Sequence, residues 1–497
     1  MRNDPTDGPV KSRTVTVRLA ILALVLAMAW PLPAAHLVSN VDGKIRVIIL
    51  HYGDGGYGEG FWFDQTVLFR ELLDKMDKDV AFVILTGKDE KPLKLKETLK
   101  PWAGQKLPDG TDRVKYLGVD VKTSQFYPWA RDPYFLLTDD RNRLIILDAG
   151  FNEKPFPVTT FQNVFEDAIA WAGTINRGGG NIRATDDEVF IGMDTLLGIK
   201  TERRYVESEG DSYDTLYEWA QDLKPKDVPV FREKFEAHAR LVQQILAPDR
   251  KMVVPEEDLF FSRLDKGKFD FIKKEARNTG AQAAYHTDVY LGVGDKDKDG
   301  KRVVFIADSR TAAKVVSGMN AESRRAVERS LPRLLAEEGF TAVGIPVTEA
   351  QIAARFAWEA NKVLDLDIAR AEKLAAGFDA AADYLVKLGY RVVRIPYLPN
   401  AFDDTEDKND GAMGIGFNYS NVLVEAYGET RKVYLPQFGF KELDDAAAAA
   451  YASAGFQPVP LKGLLTNALS PVEANAGLDC LSSEIRFPVR WAKAYYK

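Results

Sequence analysis

With 497 residues, 46% of them hydrophobic and 28% charged, the chain has the make-up of a globular protein. It is long enough for one large domain or for two to three smaller ones. A net charge of -7 with both signs well mixed gives nucleic acid and anionic lipid nothing to be drawn to, and a single cysteine excludes any intramolecular disulfide.

In chain order, Lys11, Arg13 and Arg18 precede an apolar run from Leu19 to Trp30, followed by Pro31, Pro33, Ala34 and Ala35. A charged region, a short apolar region and small residues predict a secretory signal peptide over residues 1–35, cut after Ala29 or Ala35. The run is shorter than the ~20 residues of a bilayer span, and an uncleaved anchor is the secondary reading. Export, to a periplasm or outside the cell, is expected, with residues 36–497 forming one domain.

Residues 45–50 predict the first strand, ending at His51 and leading into Gly53-Asp54-Gly55-Gly56-Tyr57-Gly58. That loop fits a dinucleotide-binding pattern, but the bulky Phe61-Trp62-Phe63 beyond it would crowd a pyrophosphate. Further strands are predicted at 81–85, 134–137, 144–147, 303–307, 392–395 and 433–435. Helical periods lie between them. Leu216, Trp219, Ala220 and Leu223 mark one face, and Phe235, His238, Val242 and Ile245 the next, where His238 reads as a packed histidine. Ile352, Phe356, Ala360 and Val363 form another, followed by Leu374, Phe378, Ala381, Leu385 and Leu388. Two helix-rich blocks, about 200–280 and 310–390, read as insertions into a strand-rich α/β domain. Asp295 to Gly300 opens like a calcium-binding loop, but Ile306 occupies the position where a bidentate Glu is needed, so a charged hairpin is predicted. Asp403 to Gly411 reads as an exposed loop. No cysteine–histidine cluster exists to hold zinc, and neither metal nor cofactor is expected.

Four segments could carry chemistry: Trp129-Ala130-Arg131-Asp132-Pro133, Arg177-Gly178-Gly179-Gly180-Asn181-Ile182, Tyr285-His286-Thr287-Asp288, and Asn475-Ala476-Gly477-Leu478-Asp479-Cys480. Each alone has an ordinary explanation: an aromatic beside an ion pair, a turn, a hydrogen-bonded pair on one face of a strand, a buried thiol. Together they describe a reaction. A guanidinium is a planar cation and a poor electrophile, so displacing its nitrogen calls for paired carboxylates to grip its N–H edges. It also calls for a soft nucleophile at carbon and an acid/base for the leaving nitrogen and for water. Asp132 and Asp288 supply the grips, Cys480 the nucleophile and His286 the acid/base.

The ordered set resembles the agmatine deiminases and bacterial peptidyl-arginine deiminases, members of the guanidine-modifying superfamily. Asn418-Tyr419-Ser420-Asn421 and Val433-Tyr434-Leu435-Pro436-Gln437-Phe438-Gly439 extend the likeness. The resemblance implies a pentein-type α/β propeller, five ββαβ modules around a pseudo-fivefold axis with the site at the centre. It covers the strand-rich portions and leaves the two helical blocks as insertions. It implies Cys480 as nucleophile of a covalent adduct, His286 as general acid/base, and Asp132 and Asp288 as the guanidinium clamp. Trp129, Arg131, Gly179, Gly180, Asn181 and Asn421 would line the substrate site, with Arg131 reading better as an internal ion-pair partner.

This chain has Gly178 where agmatine deiminases carry a Glu, and Asp479 directly before the cysteine. The first change shifts the expected substrate from agmatine towards arginine in a protein or another guanidino compound. The second sets a like charge beside the thiolate unless its carboxylate points away. An amidinotransferase, a non-catalytic pentein-like binding protein and a papain-like Cys–His hydrolase are the rivals; the last lacks its flanking pattern. No nucleic acid, and no membrane beyond the signal segment, is expected as a partner.

Overall fold

The computed structural model describes residues 35–53, 61–62, 65–87, 92–120, 129–149, 156–171, 179–198, 205–206, 212–213, 215–221, 223–267, 287–337, 341–342, 345–346, 348–351, 362–398, 417–464 and 477–492. Residues 1–34 of the predicted signal segment, the loop at 54–60, His286, Gly178, residues 352–361 and the loop at 403–411 lie outside them. Among the described residues no helix is long and apolar enough to cross a membrane.

The chain is mixed α/β, with several small sheets. Five of these repeat one plan: two antiparallel strands, then a helical crossover, then a third strand parallel to the second. In the first, Ser482–Ile485 pairs antiparallel with Val47–Tyr52, helix Gln65–Lys75 crosses over, and Ala81–Gly87 returns parallel, with Val114–Val119 beyond it. The second has Tyr134–Thr138, Leu144–Asp148 and, across the short 3-10 helix Val158–Asn163, Ile169–Trp171. The third has Ile182–Ala184, Glu188–Ile191 and Lys251–Val253. The fourth has Leu291–Lys296, Arg302–Asp308 and Arg391–Leu398, and the fifth Leu423–Tyr427, Thr430–Pro436 and Gln457–Leu461 across helix Lys441–Ser453. The first unit is built from both ends of the chain, so its leading strand is supplied last.

The two helix-rich blocks are these crossovers enlarged. Helices Met193–Gly198, Leu216–Gln221 and Val228–Leu246 connect the second and third strands of the third unit, with Glu257–Asp265 beyond. Ser309–Gly318, Ala321–Glu337 and Lys362–Lys387 do the same in the fourth. On Val228–Leu246 the buried stripe is Phe231, Phe235, His238, Val242 and Leu246. Ile245, expected on that stripe, is 38% exposed because Leu246 completes the 3.6-residue period from Val242. Leu388 is likewise exposed, lying one residue past the helix end, while Phe378, Ala381 and Leu385 are buried.

Alternation explains the central packing. Ile48, Leu50, Phe82 and Ile84 enter the largest apolar cluster, while Val47, Ile49, Val83 and Leu85 enter a second one shared with Tyr134, Leu136, Ile146 and Phe161. The first sheet is thus buried on both faces, which is why its strands read as unbroken apolar runs.

Candidate active site

Each unit contributes polar groups at the same place, immediately ahead of its leading strand. Asp132 precedes Tyr134–Thr138, Asn181 precedes Ile182–Ala184, Asp288 precedes Leu291–Lys296, Asn421 precedes Leu423–Tyr427, and Cys480 precedes Ser482–Ile485.

Cys480 is buried, 4% exposed, on a turn held from below by Asn421. The Asn421 side-chain oxygen accepts from the backbone N–H of Asp479 at 2.7 Å and of Cys480 at 3.3 Å. Its Nδ2 donates to Cys480 Sγ at 3.0 Å, and its own carbonyl accepts from Leu478 N at 3.2 Å. Asn421 is itself set by Asn418, whose side chain accepts from the N–H of Ser420 and Asn421. Gly477 lets the two segments meet, for a Cβ there would stand 2.7 Å from the Asn421 carbonyl oxygen.

The thiol donates to Asp288 Oδ2 at 2.8 Å. Asp288 lies on a single helical turn, Thr287–Tyr290, whereas the sequence reading had put this segment in a strand; the strand starts only at Leu291. Asn181 makes the difference. Its Oδ1 accepts from both the backbone N–H and the hydroxyl of Thr287, pinning the start of the turn. Asn181, expected to touch substrate, thus supports the turn that carries Asp288. His286, the expected acid/base, lies outside the described residues.

Asp132 is buried, and its Oδ1 accepts from the Gly180 N–H at 3.1 Å. Gly179 must be glycine, since a Cβ would collide with the Arg131 carbonyl oxygen. Trp129 is half-buried against the largest apolar cluster.

The Arg131 side chain enters a buried ionic layer, while its backbone N–H donates to the Cys480 carbonyl at 3.2 Å. Its Nε donates to Asp479 Oδ2 at 3.1 Å, and its Nη2 pairs both with Asp479 Oδ1 and, at 2.7 Å, with Glu484. Arg183 pairs with Asp479 Oδ1 as well, the same oxygen that Arg131 Nη2 holds. The Asp479 carboxylate is therefore spoken for by two guanidinium groups, although it stands next to the thiol in sequence. Sequence reasoning missed Arg183 and Glu484, and nothing in their local context marks them. His51, at the end of the first strand, has its ring hydrogen-bonded to the Tyr134 hydroxyl at 3.0 Å and stacked on Phe156.

Electrostatics follow from burial and these neighbours. Burial, then the charges of Asp288 and Asp132, push the Cys480 thiol well above its ordinary range. Burial likewise raises Asp132 to about 6, against the Gly180 N–H and the Arg131 charge. Burial opposes ionisation of Asp479 too, but Arg131 and Arg183 outweigh it and keep that carboxyl below the usual range.

No protein-family model matches the chain, and a search of curated proteins finds no match either.

Proposed function

We propose that the chain is a thiol-dependent hydrolase that converts a guanidino group to a ureido group with release of ammonia. The observation that carries this is a cysteine thiol in direct contact with one buried carboxylate, Asp288, and in the field of a second, Asp132. A thiol so placed is poorly ionised while the site lacks a cation. A guanidinium between the two carboxylates supplies the missing positive charge and favours the thiolate.

In this reading the Cys480 thiolate attacks the central guanidinium carbon, forming a C–S bond. A proton reaches one nitrogen, which leaves as ammonia when its C–N bond breaks. Water then adds to the thiouronium carbon and the thiolate departs, leaving the ureido product. His286 is the proposed carrier of the proton to the leaving nitrogen and from water, and Asn421 holds the sulfur in line.

The repeated units support a pentein-type propeller, with five ββαβ blades around one axis and the polar residues ahead of each leading strand at its centre. Arginine within a protein or a small guanidino compound is the proposed substrate, met after export. The test is an ammonia and ureido assay with arginine, agmatine and arginine-containing peptides, on the wild type and on Cys480→Ala. Turnover lost in the variant supports the reading; turnover unchanged by it overturns the mechanism. A second reading, a guanidinium-binding protein without turnover, is favoured by the thiol's being held in its protonated form. Binding without ammonia release would establish it instead.

A further inference from the structure

Asp479 would set a third negative charge beside a thiol that already faces two. Among the described residues, the charged groups acting on Cys480 are Asp288 from the helical turn, Asp132 from the loop before the second unit, and Asp479 from its own turn. Asp479 faces Arg131 and Arg183, and Arg131 in turn faces Glu484. The Asp479 side chain is 1% exposed and that of Arg183 3%, so solvent does little to screen the pair.

We propose that Arg183 is a positioning residue for the Cys480 nucleophile: it completes a two-arginine clamp that fixes the Asp479 carboxylate and cancels its charge where that charge would oppose the thiolate. The proposal deepens the hydrolase reading and rests on it for its meaning in catalysis. Arg131 alone cannot fill the role, because it divides its guanidinium between Asp479 and Glu484. Arg183 reaches Asp479 from Ile182–Ala184, the strand that follows Asn181, so one short segment both steadies the Asp288 turn and neutralises the cysteine's neighbour.

The test uses the full chain and the rate of Cys480 alkylation by iodoacetamide at pH 8. The reagent is neutral and does not depend on guanidinium recognition, and the chain has one cysteine, so the site of reaction is unambiguous. Arg183→Gln should slow alkylation about tenfold, the effect of moving the thiol by one unit through a nearby charge. Arg183→Lys, which keeps the charge, should stay near the wild type, and Asp479→Asn should speed the reaction. The double variant Arg183→Gln, Asp479→Asn should recover the rate lost in Arg183→Gln alone. Equal slowing in Arg183→Gln and Arg183→Lys would mean a packing role and overturn the proposal. So would an unchanged rate in Asp479→Asn, which decides the matter even if Arg183→Gln fails to fold. Ammonia release is scored separately in the wild type: its absence would remove the hydrolase reading, while the alkylation ratios decide the role of Arg183.

Discussion

At the scale of single residues, the site holds its charges in unfavourable states that a cation would relieve. Burial, with Asp288 and Asp132, keeps the Cys480 thiol protonated at neutral pH. A cationic haloacetamidine should therefore alkylate Cys480 faster than neutral iodoacetamide at pH 7.5 by more than their ratio on free cysteine. A ratio equal to that on free cysteine would show that the carboxylates do not recruit the cation. Asp132 makes a second case. Its folded pKa, about 6, lies above the ordinary value of 3.8, so the native state retains a proton that the unfolded chain gives up first. Stability from this group is greatest below pH 4 and falls as pH rises to about 6. Asp132→Asn should stabilise the protein at pH 7.5 by about 1–3 kcal/mol and show no gain at pH 4, while abolishing turnover. Urea melts at the two pH values measure the difference; an equal effect at both would contradict the charge argument.

At the scale of elements, what positions the site is a set of side-chain supports rather than regular secondary structure. The strands predicted at 45–50, 81–85, 134–137, 144–147, 303–307, 392–395 and 433–435 are all present, because apolar β-branched runs closed by Gly, Asp or Pro leave few alternatives. The turn carrying Asp288 was not. Thr287-Asp288-Val289-Tyr290 is too short for a helical period, and Thr287, Val289 and Tyr290 are good strand formers. The turn exists because Asn181, distant in sequence, accepts both Thr287 donors. Asn181→Ala should cost about 1–3 kcal/mol in a urea melt, since two buried donors lose their acceptor. A cost near zero would mean that the turn stands without it. The role of Asp479 was illegible for the same reason: Arg131 lies 348 residues away, and local sequence could not say which way the carboxylate points.

At the scale of the whole molecule, the end of the chain completes its beginning. Ser482–Ile485 is the leading strand of the first unit, and Arg486 donates to the carbonyls of Asn40, Val41, Gly43 and Val424, tying the first and fifth units together. A chain ending at Gly463 should lose cooperative thermal unfolding, followed by circular dichroism; a melt like that of the full chain would show that the first unit closes without its last strand. The helical blocks read from the sequence as insertions are long crossovers of the third and fourth units; the strands that the second block connects were visible at 303–307 and 392–395, while those of the third unit, Glu188–Ile191 and Lys251–Val253, were not. The same closure brings the cysteine turn to Asp288 and Asn421, and the proposed chemistry depends on that meeting. The most direct test is acid quenching of the protein during incubation with an arginine peptide, followed by mass analysis of the fragment bearing Cys480. A thiouronium adduct on Cys480, absent in Cys480→Ala, is the predicted result. Ureido product formed at the wild-type rate by Cys480→Ala would contradict it.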